Sequence, residues 1–167
     1  AKYNYTFTKE FFGIENARGS AFADLLRGDR GANRLEGGVG DDRLVGRAGD
    51  DQLVGDVGYD VLIGGAGLDT LWGGGGRDRF VLGTASDGLD DIADFDLKDV
   101  LDLRQVTAFV PGDEVDQFIR LRDAAGDTWI QVDANGRGDA FVDVARLIGV
   151  TGLSAEELVS ADRLFLD

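Results

Sequence analysis

The acids of this chain are set out in nines. Asp24, Asn33, Asp42, Asp51, Asp60, Asp69 and Asp78 stand nine residues apart, with one amide among the carboxylates, and Asp87 continues the count. Carboxylates stacked that regularly repel one another and need a counter-charge. A hard cation held between acids of two turns and several backbone carbonyls would supply it. An all-oxygen site of about six ligands suits Ca2+, whereas Mg2+ keeps its water and demands tighter geometry. Other chemistry is poorly represented. The chain has no Cys and no His, which removes disulfides, thiolate metal sites and His-dependent catalysis. No nucleophile–base pair is visible, and acid pairs such as Asp41 and Asp42 fall in the same periodic turns. This reads as a binding module and not as an enzyme.

Positioning those acids takes a repeated element. From Gly19 the units run GSAFADLLR, GDRGANRLE, GGVGDDRLV, GRAGDDQLV, GDVGYDVLI, GGAGLDTLW and GGGGRDRFV. The eighth place holds Leu26, Leu35, Leu44, Leu53, Leu62, Leu71 and Phe80. A further unit, LGTASDGLD, keeps the phase through Asp87 and Leu89 but has Leu82 and Ala85 where Gly is usual. Each unit divides into roughly six turn residues, for which Gly supplies positive φ angles, and three strand residues. Two units make one coil, so like turns stack every eighteen residues. Two parallel sheets then face each other across a thin core of Leu and Phe. The expected fold class is all-β: a parallel β-roll followed by a C-terminal β-rich cap with a short terminal helix. The bounds expected are a flanking strand over 1–18, the roll over 19–90 and the C-terminal region over 91–167. A core this thin cannot offset the ordering entropy of so much Gly. The cation is expected to order the roll, and its absence to leave the segment disordered.

Composition agrees with a cation partner. The 167 residues carry a net charge of −15, with a sequence pI of about 4.2. That argues against nucleic acid or an anionic membrane, because no basic patch is available to release counterions from phosphates. The hydrophobic content of 43% is that of a globular chain and not of an acidic disordered tail. No apolar run approaches the ~20 residues of a membrane span. The start, AKYNYTFTKEFF, has neither an initiator Met nor the apolar region of a signal peptide. A piece of a longer protein is expected.

The unit resembles the RTX (repeats-in-toxin) nonapeptide G-G-x-G-x-D-x-U-x, over Gly19 to about Asp90. The resemblance implies a calcium-binding β-roll with several ions. Its acid pairs would be Asp42 with Asp60, Asp51 with Asp69, and Asp60 with Asp78. Toward the ends they would be Asp24 with Asp42, Asn33 with Asp51, and Asp69 with Asp87. Backbone ligands are placed at Gly37, Val39 and Gly40; Gly46, Ala48 and Gly49; Gly55, Val57 and Gly58. The same places continue at Gly64, Ala66 and Gly67, and at Gly73, Gly75 and Gly76.

The flanks extend the resemblance. FFGIENARGSAFAD, from Phe11, is similar to the lead-in of RTX arrays, and DGLDDIADFDLKDVLDL to the segment that follows them in type I secreted proteins. Asp90 and Asp94 are candidate ligands of a capping Ca2+. Ile92, Phe95, Val100, Leu101 and Leu103 read as core. Tyr3, Tyr5 and Phe7 alternate as in a strand. Phe118–Arg122 and Thr128–Asp133 read as a hairpin, AFVDVARLIGV as a further strand, and Asp133–Asp139 as a polar turn spaced like a calcium loop. Ser154 and Glu157 form a capping box at the start of a helix. The C-terminal half resembles a type I secretion target domain, with Leu164, Phe165, Leu166 and Asp167 as an uncleaved terminal signal. That implies a secreted protein, extracellular or on the cell surface, whose partner is the type I (ABC transporter) apparatus. An alternative is the polysaccharide-binding R-module of mannuronan epimerases, for which Arg34, Arg43, Arg47, Arg77 and Arg79 would have to cluster on alginate. Leu25, Val45, Val61, Ile63 and Val81 are expected to form an apolar outer stripe, covered by the flanks or by an upstream domain. The other sheet would show Arg34, Glu36, Gln52, Val54, Thr70 and Trp72.

Overall fold

The computed structural model describes residues 8–10, 15–84, 86–106, 114–133, 136–138 and 140–166. Tyr3, Tyr5, Phe7, Phe11, Ala85, Asn135, Asp139 and Asp167 lie outside them.

Strands form at the triplets around the eighth-place residues; those between Arg34 and Gly76 run on into the Gly-rich sixes, and the chain turns in what remains. Seven of the odd-numbered strands make one sheet: β1 (Thr8–Glu10), β3 (Leu25–Arg27), β5 (Arg43–Ala48), β7 (Val61–Ala66), β9 (Arg79–Val81), β11 (Val100–Asp102) and finally β15 (Leu164–Phe165). The other sheet begins with β2 (Asn16–Arg18), β4 (Arg34–Val39), β6 (Gln52–Gly58), β8 (Thr70–Gly76) and β10 (Asp90–Ile92). Pairing in the roll is parallel throughout these strands, as a two-unit coil requires.

Register turns the Leu series into two ladders. Leu26, Leu44, Leu62, Phe80, Leu101 and Leu164 are successive partners in one sheet. Ala17, Leu35, Leu53, Leu71, Ile92 and Leu147 are partners in the other. Leu26, Leu44, Leu53, Leu62, Leu71 and Phe80 are fully buried, and the two ladders meet in one core. Apolar side chains stacked at strand spacing are the unit of sheet stabilisation here.

The sheets run on past the repeats. In the second sheet β10 is followed by β14 (Val142–Leu147), pairing in parallel, then by the antiparallel strands β13 (Asp127–Val132) and β12 (Ile119–Ala124). The hairpin turns at Ala125 and Gly126, both at positive φ, as a two-residue hairpin prefers. Helix α1 (Ala155–Ser160) carries the expected box: Ser154 Oγ accepts from the Glu157 amide, and the Glu157 carboxylate accepts from the Ser154 amide. Leu158 on this helix joins the core.

Two expectations change. Leu89 is half-buried, and Ile92 takes the ladder place beside Leu71. The step there is twenty-one residues, because three extra residues sit in the loop before β10. The outer face of the odd-strand sheet is also less apolar than expected. Arg43 and Arg79 stand in the row of Leu25 and Val61, and Arg27 stands in the row of Val45, Ile63 and Val81. At the far end of that face Phe165 lies under the guanidinium groups of Arg79 and Arg104, at 4.9 and 5.4 Å.

Candidate metal centres

The turns stack along two edges of the roll. One edge carries turns 19–24, 37–42, 55–60, 73–78 and 94–99; the other carries 28–33, 46–51 and 64–69, then the loop before β10. Within an edge each acid receives the amide of the acid one coil earlier. The amides of Asp24, Asn33, Asp42, Asp51 and Asp60 donate to Oδ1 of Asp42, Asp51, Asp60, Asp69 and Asp78, at 2.7–2.9 Å. That contact fixes one carboxylate oxygen per turn and aims the other inward.

Five of those inward oxygens have no partner. Oδ2 of Asp42, Asp51, Asp60, Asp69 and Asp78 is buried without a hydrogen bond. The five side chains are 1–2% exposed. A buried acceptor left unmatched costs roughly 1–3 kcal/mol, and a charged one more. Five in register is an arrangement that only added positive charge can balance. The space they face is also shaped. An added Cβ at Gly55 would meet Asp60 Oδ2 and lie 2.5 Å from the carbonyl oxygen of Gly73, one coil on. At Gly46 it would meet Asp51 Oδ2 and lie 2.6 Å from the Gly64 carbonyl oxygen. Carboxylate and carbonyl oxygens therefore border one void in these turns, as they do at Gly37, and Gly keeps it clear. Among the described residues no three acidic side chains gather as a ligand set, so backbone oxygens must complete any site. This donor set fits Ca2+.

Electrostatics agree. Burial lifts the Asp51 and Asp60 carboxyls to about 7 and those of Asp42 and Asp78 to about 6; the amide each receives partly opposes this, and neighbouring acids add to it. Burial raises Asp69 as well.

The ends of the array differ from the sequence expectation. The amide of Asp69 meets Asp90 Oδ1 at 3.3 Å, and not the Asp87 carboxylate. Asp87 Oδ2 instead takes the amide and hydroxyl of Thr84, and its carbonyl takes the Gly67 amide. The three-residue insertion is the cause. Asp78 pairs with Asp99, whose Oδ1 accepts at 2.9 Å; spacing from Asp24 misses Asp99, whereas counting nine from Asp90 finds it. Asp90 and Asp94 do not come together. They flank β10 at opposite ends, and Asp94 accepts from the amides of Gly73 and Gly74 on the other edge.

The backbone candidates fall into three groups, of which the fourth-place carbonyls of Gly40, Gly49, Gly58 and Gly67 lie against the following turn of their edge. The first-place carbonyls of Gly37, Gly46, Gly55, Gly64 and Gly73 lie against the preceding turn of their edge. The third-place carbonyls of Val57 and Ala66 accept from the amides of Gly40 and Gly49. The five arginines of the polysaccharide reading do not gather. Arg34 lies on one sheet, bonded to Glu36 and Gln52, and Arg43 and Arg79 on the other; Arg47 and Arg77 are in turns of opposite edges.

A stacked roll with periodic oxygen-lined turns defines a calcium-binding β-solenoid. The family model of the RTX calcium-binding nonapeptide repeat (4 copies) matches residues 18–53, 45–80 and 54–89. These residues are RTX repeats, they bind calcium, and they form the β-roll described above. No curated protein matches the chain. Among solved structures, the AlgE6R3 subunit of the Azotobacter vinelandii mannuronan C5-epimerase is 29% identical, with a TM-score of 0.40. The match covers 87% of this chain and 79% of that one. No helix among the described residues is long and apolar enough to cross a membrane.

Proposed function

We propose that the chain is a non-catalytic, calcium-dependent folding domain of a secreted protein, and that the turns ending in Asp42, Asp51, Asp60, Asp69 and Asp78 hold the ions. The row of buried, unpartnered Oδ2 atoms carries this reading. The ion supplies the positive charge that those oxygens lack. The chain supplies the order: Asp amides fix Oδ1, Gly turns leave room, and the Leu ladders hold successive turns in register. Where calcium is scarce, as inside a cell, the carboxylates repel and the chain stays open enough to pass an export channel. Where calcium is plentiful it folds and cannot slide back. The type I apparatus is then its export partner, residues 164–167 part of the signal, and an upstream domain of the same protein its neighbour on the odd-strand sheet. The dispersal of the arginines favours this over alginate binding.

Circular dichroism in chelator and in millimolar Ca2+ tests the folding claim. The β signal is expected only with Ca2+, in the 10⁻⁴–10⁻³ M range of extracellular modules. A complete native spectrum in chelator would refute it. For export, removal of residues 164–167 is expected to abolish transport by a type I system, and undiminished transport would refute that part.

A further inference from the structure

The turns of the roll are of two kinds, and backbone conformation separates them. In the five turns whose Oδ2 has no partner, the second residue is left-handed: Gly38, Arg47, Asp56, Gly65 and Gly74, with φ between 75° and 113°. In the remaining acid-bearing turns the chain closes on its own acid. The Ser20 amide and hydroxyl donate to Asp24 Oδ2, and the Asp29 amide donates to Asn33 Oδ1 at 2.9 Å. The Thr84 amide closes Asp87 at 2.6 Å and the Asp96 amide closes Asp99 at 2.8 Å. Ser20 and Asp29 stand at that second place, and Thr84 and Asp96 one residue later; none of the four has positive φ, nor do Gly83 and Phe95 at the second place of the last two turns. Their own side chains hold the closed form. Ser20 Oγ accepts from the Phe22 amide, Asp29 from Gly31, and Asp96 from Lys98; Thr84 Oγ1 pairs with Ser86. These are Ser/Thr and Asx turns.

Arg47 and Asp56 make the distinction informative. A side chain at positive φ is strained, and neither residue is there for want of alternatives, since Asp29 takes the closed form at the equivalent place of its turn. Arg47 is held by a 3.0 Å hydrogen bond from Nη1 to the Gly28 carbonyl, on the turn before. In the five turns with a left-handed second residue no amide reaches Oδ2, which is left for a cation.

We infer that the sign of φ at this second place decides which turns take calcium. The five open turns each take one ion; Asp24, Asn33, Asp87 and Asp99 close their turns with protein hydrogen bonds and take none. Arg47 and Asp56 are positioning residues that keep their turns open. This rests on the calcium reading above and adds to it a count and a rule.

Calcium titration calorimetry of the full chain tests it. The wild type is expected to bind five ions. Asn33→Asp alone restores the repeat's acid but leaves the Asp29 amide in place, so the count stays at five. Adding Asp29→Gly releases the closure, and the double variant is expected to bind six. Six ions with Asn33→Asp alone, or five with the double variant, would overturn the rule. A wild type that binds no calcium would instead sink the calcium reading itself. If the double variant does not fold, Arg47→Gly and Arg47→Ala still decide. Both lose the bond to Gly28, but only Gly sheds the strain. The calcium midpoint is expected about 1.4-fold lower for Gly than for Ala, the strain relief being shared among five ions. Equal midpoints, or a higher one for Gly, would overturn the inference.

Discussion

Replacing Asp60 by Asn should raise the calcium midpoint far more than the same change at Asp24. Asp60 is 1% exposed. Its Oδ1 receives the Asp42 amide and its own amide binds Asp78, so Asn keeps the shape of the stack. What it loses is the charge on Oδ2, the oxygen without a partner. Removing one member of a buried charge pair costs about 3–5 kcal/mol. If five ions bind together, that loss is shared among five concentration terms, and the midpoint rises about 3- to 5-fold. At Asp24 the corresponding oxygen takes hydrogen bonds from Ser20. Weakening those costs about 1 kcal/mol, or about 1.4-fold in midpoint. Calcium titration followed by far-ultraviolet circular dichroism reads both. Similar midpoints for the two variants would refute the separation of open from closed turns.

Acid should oppose calcium. The carboxyls of Asp51 and Asp60 sit at about 7 in the folded, metal-free chain against 3.8 in the unfolded chain, so they favour folding when protonated. That contribution is complete below pH 4 and lost as pH rises through 7. The calcium-free chain is unfolded and its carboxyls are already ionised at pH 5.5, so the midpoint should stay nearly flat from pH 7.5 to 5.5 and rise only as pH falls toward 4, where Ca2+ must displace protons; a several-fold rise already at pH 5.5 would count against it. Leu164→Ala, at the end of one ladder and 6% exposed, should cost about 2–5 kcal/mol and raise the midpoint about two- to five-fold without changing the ion count. Gly64→Ala would drive its Cβ into Asp69 Oδ2 and should remove one ion, whereas Gly126→Ala, with nothing within 4 Å, should cost about 1 kcal/mol of stability and leave the count alone. Calorimetry separates these outcomes.

Much of this was legible in the residues because the period is both chemical and geometric. A Leu two places after an Asp can lie in only one ladder, so the residues alone place Leu26 to Phe80. The capping box at Ser154 was equally local. The reading failed where counting passed an insertion: Asp87 keeps the nine-residue phase in the sequence, but the strand that follows is set by Ile92 reaching the core beside Leu71. Asp99 was missed for the same reason. The difference between Asp24 and Asp42 is not one of residue type at the acid. It lies four residues earlier, in whether the chain there is Ser20 or Gly38, and a hydroxyl that can hold a turn closed is the signal that was available.

The constant register of the ladders bears on how such a chain can grow. Asp42, Asp60 and Asp78 pair with the same eighteen-residue offset, and so do Leu44, Leu62 and Phe80. Duplicating any eighteen residues between 37 and 78 would restore every partnership at both joins. Two Gly turns, two Leu and two acids would be added together. A duplication of nine would exchange the two edges downstream, and one of any other length would misalign a ladder unless a loop absorbed it, as the loop before β10 absorbs three. Length can therefore change in whole coils without redesign of the core, and the demand for calcium rises in proportion to the length gained.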